Sequence, residues 1–280
     1  MQNSNPLFKH FRQPAIFLKL PSGGKYWTPN SLSLPASGEV GVMPMTAKDE
    51  VMLRTPDALM NGQGVVSVVE SCVPAITNAW GCPTIDIDAI LIAIRIATYG
   101  DDMDIDSKCP NCDNENRHQM SLGPLLMKVK SPDYSTSIEI EGLIFKFKPQ
   151  NYLQSNKSNL IDFEEQKIMQ LVGDETIDDE TRKAQFDLHL QNVVDIGNTL
   201  ISNQTESITT EEGIVVTDSN HIREFYKNTT NKIIKLVQNK IAEINSVMSI
   251  QPAHVFCEAC EKEYDVKIEF DYGNFFEPLS

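Results

Sequence analysis

The sequence contains no apolar run approaching the roughly 18–20 residues of a membrane-spanning helix, so no membrane span is expected. Its opening stretch, MQNSNPLFKHFRQPAIFLKL, has neither the continuous apolar core nor the small-residue cleavage site of a secretory signal, and the expected compartment is the cytoplasm. Positive charge is scarce too: 24 Lys and Arg face 39 Asp and Glu, a formal net charge of −15. A nucleic-acid binder neutralises phosphates with clustered cations. The chain offers only KVK at 128–130 and KFK at 146–148, which alternate as strands do, so no nucleic-acid partner is expected. The acidity reads as solubility, or as an acidic face for a basic partner protein.

Catalytic signatures are missing as well. There is no HExxH, GxSxG, GxxxxGK[ST] or GxGxxG. PSGGKYW at 21–27 shares two glycines and a lysine with a phosphate loop, but Ser22, Gly23 and Gly24 are more simply a turn between strands. The aspartates of DDMDID (101–106) alternate with apolar residues as on an edge strand, and Glu164–Glu165 falls on the solvent face of a helix. His189 has no nucleophile that the sequence can pair with it. The expectation is a protein that is not an enzyme.

What is present is a spaced set of thiols. CPNC at 109–112 and CEAC at 257–260 share the Cys-x-x-Cys form, and three disulfides from six cysteines are not expected in a cytoplasmic chain. Two thiolates three residues apart around a tight turn form half of a tetrahedral site, so Cys109, Cys112, Cys257 and Cys260 together would bind one Zn²⁺ per chain. The strands expected on either side give the pattern of a zinc ribbon. Residues 113–256 separate the motifs, against roughly 15–20 in the usual spacing. Loop closure costs only logarithmically more with length, so a folded insertion is compatible with one shared site. The plainer alternative is two pairs of reduced thiols. Four thiolates close the shell, so the zinc would be structural. His118 and His254 flank the motifs and read as surface strand residues. Cys72 and Cys82 lie beside apolar sequence.

Periodicity predicts an α+β fold in four parts. Residues 1–45 carry short strands (AIFLKL, then EVGVMPM) and Pro/Gly turns. Residues 46–100 form a helical unit: Thr46 and Asp49 fit an N-cap, TPD at 55–57 repeats the signal, GVVSVVESCV (64–73) reads as a buried helix or less readily a strand, and DIDAILIAIRIATYG is apolar on nearly every side. Residues 101–155 with 251–280 give the split ribbon, with Gly142 in a turn. Residues 156–250 are a helical insertion containing NLIDFEEQKIMQLV, a helix from DDETRKAQF onward, a polar stretch with one short strand (TESITTEEGIVVTDS), and one long helix over about 219–248. That last helix carries an apolar stripe suited to packing on its own domain, with self-association through 219–248 as the alternative.

LPSGGKYW, the block MTAKDEVMLRTPDALMNGQGVVSVVESCVP and the run DIDAILIAIRIATYGDDMDIDSKCPNC resemble the baseplate-hub assembly proteins of T-even-type contractile-tailed bacteriophages. The resemblance covers about residues 15–150 and includes the C-terminal CEAC, but matches nothing in 156–250. It implies a role in assembly of the baseplate's central hub in the host bacterial cytoplasm, as an assembly chaperone binding hub or tail proteins. The alternatives are a permanent structural subunit of the hub, located in the virion tail baseplate, and a zinc-ribbon adaptor of phage transcription. No catalytic residue comes with it. The recurring positions fall on Pro21, Lys25, Tyr26, Thr46, Asp49, Glu50, Pro56, Leu59 and Gly62, which would serve the fold or partner docking.

Overall fold

The computed structural model describes residues 6–55, 62–157, 166, 168, 178–248, 252–266 and 275–276. The chain is α+β and divides into two compact units, one of Met1–Ser131 with Met248–Ser280 and one of Pro132–Val247. The second unit is therefore inserted, in sequence, between the two parts of the first.

In the first unit, strand β1 (Ile16–Lys19) pairs antiparallel with β2 (Glu39–Val42), Ile16 opposite Val42. Helix α1 (Ala47–Leu53) begins at a capping box in which the Thr46 side chain accepts the Asp49 N–H and the Asp49 carboxylate accepts the Thr46 N–H. Helix α2 (Gln63–Cys72) buries Val65, Val66, Val68, Val69 and Cys72, a 3.6-residue pattern. Its valines favour strand, but burial of that whole face outweighs local propensity. Helix α3 (Thr84–Tyr99) buries nearly every residue from Ile85 to Arg95, as an all-round apolar helix must, and ends at Gly100 with φ 92°. The buried Arg95 guanidinium sits 5.2 Å from the Tyr99 ring centroid and 5.8 Å from that of Phe275.

Strands β3 (Asp102–Lys108) and β4 (Glu115–Ser121) form a hairpin with Asp102 opposite Ser121 and Lys108 opposite Glu115. The chain then enters α4 (Leu122–Lys128), which buries Leu122 and Leu125. The strand expected at KVK is thus corrected. Lys128 closes a helix whose Pro124 sits in the first turn, where a missing N–H costs no hydrogen bond.

The second unit holds a four-stranded antiparallel sheet in the order β5 (Ile138–Ile140), β6 (Leu143–Phe147), β7 (Thr205–Thr209), β8 (Val215–Val216). The turn from β5 to β6 uses Glu141 and Gly142 at φ 51° and 79°, a two-residue hairpin in the left-handed region. This hairpin, grouped by the sequence with the ribbon strands, pairs instead with β7, Phe145 opposite Ile208. The single short strand expected in 205–216 is two, turning at Gly213 (φ 83°). Helix α5 (Asp179–Gln204) begins at Asp178, whose carboxylate accepts the Thr181 N–H.

The continuous helix expected over 219–248 is also corrected. It is broken into α6 (Ser219–Asn228) and α7 (Asn231–Asn245). Thr229 has ψ 170° and Thr230 has ψ 150°, both extended, and the Thr230 side chain caps α7. Ile222, Tyr226, Val237 and Ile241 are buried, so much of the apolar stripe is used inside the unit. The NLIDFEEQKIMQLV helix falls almost wholly on residues outside those described. Among the described residues no helix is long and apolar enough to cross a membrane.

Candidate metal centre

Two hairpins supply the site. At the tip of β3–β4, the Cys109 N–H donates to the Asn114 carbonyl (2.9 Å) and the Asp113 N–H to the Cys109 carbonyl (3.0 Å). The second hairpin is β9 (Ala253–Phe256) with β10 (Glu263–Val266). At its tip the Cys257 N–H donates to the Lys262 carbonyl (3.0 Å) and the Glu261 N–H to the Cys257 carbonyl (2.9 Å). Asp113 and Glu261, each just after the second cysteine, have φ 60° and 54°. The two motifs therefore fold into the same turn, which brings thiols three residues apart to one side.

The structure places the sulfurs of Cys109, Cys112, Cys257 and Cys260 within 4.8 Å of one another. Cys109 Sγ is 3.8 Å from Cys260 Sγ, and Cys112 Sγ is 3.5 Å from Cys257 Sγ. All four are free thiols. A tetrahedral ion with metal–sulfur bonds of about 2.3 Å needs sulfurs about 3.8 Å apart. The donor set therefore fits a metal ion, and sulfur donors select a thiophilic one over hard cations such as Ca²⁺ or Mg²⁺.

Cys109 and Cys257 are buried, Cys260 is partly covered and Cys112 is exposed. At Cys257 desolvation opposes ionisation, but the N–H groups of Cys260 and Ala259, with the neighbouring thiols, outweigh it and bring the pKa down to about 6. Cys260 is lowered chiefly by the Lys262 N–H. At Cys112 the Asn114 N–H favours the thiolate, yet the adjoining cysteines and desolvation prevail and raise it to about 12. Without an ion, four sulfurs this close cannot all ionise.

A polar contact set joins the hairpins beside the sulfurs. Tyr264 Oη lies 2.7 Å from Ser107 Oγ, 3.2 Å from His118 Nε2, and accepts from Asn116 Nδ2 at 3.1 Å. The buried Asn116 in turn accepts the Glu258 N–H through Oδ1 at 3.0 Å. His118, expected as a surface residue, is half-buried in this set, whereas His254 is exposed and paired with Asp265 on the outer face.

The N-terminal positions separate by role. Ser22 donates to Asp86 through its N–H (2.8 Å) and hydroxyl (2.5 Å), and Trp27 Nε1 donates to the same carboxylate at 2.8 Å. This clamp explains LPSGGKYW. It holds the loop on α3 and leaves Lys25 and Tyr26 exposed at its bend, while Pro21 is half-buried. Tyr26 has φ 67°, and a Cβ on Gly24 (φ 81°) would sit 2.9 Å from Leu34 Cδ2. Burial pushes the Asp86 pKa up, against the pull of Ser22 and Trp27.

Asp49 is buried and makes its contacts within the first unit. It is 6% exposed, accepts from Thr46, and pairs with Arg12 Nη1 at 3.1 Å, while Arg12 also reaches the Pro44 and Ser71 carbonyls at 2.8 Å each. Burial opposes its charge, but the Thr46 and Ser71 hydrogen bonds and Arg12 lower its pKa. Glu50 is half-buried in the first turn of α1, and Gly62, with φ 76°, starts α2. Pro56 and Leu59 lie outside the described residues. Arg12, Asp86, Asn116 and Tyr264 were not singled out by the sequence for these roles. The one available signal, for Asp86, was the pair of acids within the otherwise apolar TIDIDAILIAI.

The fold and site together define an α+β protein whose two cysteine turns converge on a four-thiol cluster able to hold a metal ion. The chain belongs to the T4 bacteriophage base plate protein family, whose model matches residues 13–277. The match spans both units, including the insertion where the sequence offered no recognisable motif. No curated protein and no solved structure matches the chain.

Proposed function

We propose that this base plate protein acts by binding and not by turnover, as an assembly factor that engages hub or tail proteins while the baseplate's central hub is built in the host cytoplasm. In this reading Cys109, Cys112, Cys257 and Cys260 hold one structural Zn²⁺ per chain, and Lys25 and Tyr26 are the docking candidates left exposed by the fold. The observation that supports it is the closed donor set. Four sulfurs at tetrahedral spacing leave no ligand position for water, and their charge makes the ion a poor Lewis acid. When bound, the ion supplies cross-linking of the two hairpins. The residues around it, Asn116 and Tyr264 above all, orient those hairpins toward one another.

A permanent subunit of the baseplate is the second reading, favoured by the family's description as a base plate protein. Quantitative mass spectrometry of assembly intermediates and purified virions separates the two. An assembly factor accompanies hub proteins in intermediates and is missing from virions. A structural subunit persists in virions at a fixed small-integer ratio. Absence from both overturns the baseplate-assembly reading.

A further inference from the structure

The two cysteine turns share a backbone geometry but not their surroundings. Asn111, the third residue of CPNC, reaches across to the other turn: its Nδ2 donates to Cys260 Sγ at 3.6 Å, and its Oδ1 accepts from Lys262 Nζ at 2.8 Å. The orientation of the amide follows from chemistry, since an ammonium can only donate and a thiolate only accept. The matching residue of CEAC is Ala259, which has no side-chain donor. One sulfur of the four therefore has a side-chain hydrogen bond from the opposite hairpin, backed by a cation. Four thiolates around a divalent ion carry a net charge of about −2, in a chain already at −15. A donor aimed at a sulfur and a nearby ammonium both stabilise that charge.

We infer that Asn111 and Lys262 are positioning residues for the metal, forming a cross-hairpin relay, Lys262 to Asn111 to Cys260, that holds the ion in the site. The inference rests on the metal reading given above. Loss of such an outer hydrogen bond lowers metal affinity by about 10–100-fold. Asn111→Asp keeps the shape, removes the donor and sets a carboxylate against the sulfur. Lys262→Met removes the cation and keeps the stem. Lys108→Met is the control: Lys108 pairs with the exposed Asp113 at 3.0 Å next to the same site, so it removes an equal charge without breaking the relay.

The test uses the full-length protein loaded with Zn²⁺, with the metal titrated out by a chromophoric chelator, and with Co²⁺ to read the sulfur-to-metal charge-transfer band. Asn111→Asp and Lys262→Met should lose about 10–100-fold in affinity and shift the Co²⁺ band, while Lys108→Met changes affinity by less than about threefold, within the small effect of an exposed charge. Equal losses in all three variants overturn the relay in favour of a general charge effect, and unchanged affinity in the first two overturns it outright. A wild-type protein that binds neither ion overturns the metal reading itself. A wild type that binds alongside insensitive variants overturns only the relay. Circular dichroism of each variant confirms that a loss is not unfolding, since Asn111 and Lys262 are both exposed.

Discussion

Asn116 Oδ1 accepts the backbone N–H of Glu258 across 142 positions of sequence, at 3.0 Å, while Asn116 Nδ2 donates to Tyr264 Oη at 3.1 Å. One buried amide thus ties the two cysteine turns together through contacts that involve no sulfur. Asn116→Ala would leave the Glu258 N–H without its acceptor and remove one of the three contacts of the Tyr264 hydroxyl, at a cost of about 1–3 kcal/mol. Chemical denaturation should show the loss both with metal and in excess chelator. A cost that vanished in chelator would mean the amide matters only through the ion.

The metal site itself predicts one ion per chain, shared by both turns. Cys257→Ser should weaken binding by at least about 10-fold, because the three thiols that remain, Cys109, Cys112 and Cys260, leave the tetrahedral shell one ligand short. Chelation of the wild type should lower its melting temperature, since an ion that binds only the folded state stabilises it by mass action. Two ions per chain by elemental analysis, or an undiminished affinity in Cys257→Ser, would sink the shared site.

The sequence disclosed this site because Cys-x-x-Cys fixes a local turn, and two such turns together can complete one four-thiol shell. The all-round apolar α3 and the Thr46–Asp49 cap were legible for the same reason: each is a local pattern with one physical solution. The other features depended on distant partners. Nothing in 138–147 says that β6 will pair with β7 some sixty residues on, and an apolar stripe at helical spacing does not report the break at Thr229–Thr230. Asn116 and Tyr264 carry no motif, and their role appears only when the hairpins are side by side. Pro56 and Leu59 fall where the structure is not described.

Two glycines should respond oppositely to alanine. At Gly197, inside α5, an added Cβ meets nothing within 4 Å, so Gly197→Ala should stabilise by about 0.5–1 kcal/mol through the backbone entropy of the unfolded chain. At Gly81 the same methyl would lie 1.8 Å from Thr28 Oγ1 and 2.5 Å from Ser31 Oγ, so Gly81→Ala must push those side chains aside and should destabilise by about 1–3 kcal/mol. Thermal melts of the two variants measured side by side check both signs.

Asp88 gives a prediction with a pH dependence. Burial in α3 raises its pKa from 3.8 to about 6. A carboxyl whose folded pKa lies above its unfolded value binds more protons folded than unfolded between those two values. Its contribution to stability is therefore present below about 4 and is lost as pH rises toward about 6. Asp49 acts in the opposite sense: its lowered pKa adds stability above 3.8 that disappears as pH falls through the folded value. Asp88→Asn removes the burial penalty without changing size, so it should stabilise the protein at pH 7 by about 1–3 kcal/mol, the upper end discounted for a partly exposed group. At pH 4 the gain should be small, because the wild-type carboxyl is then largely protonated in the fold. The free-energy difference between wild type and Asp88→Asn, measured by denaturant titration from pH 4 to 7.5, should therefore grow with pH and level off above about 6. A difference that stayed flat across that range would show that Asp88 ionises in the fold as it does in the open chain, and a difference that shrank with rising pH would mean that an unseen cation holds the carboxylate.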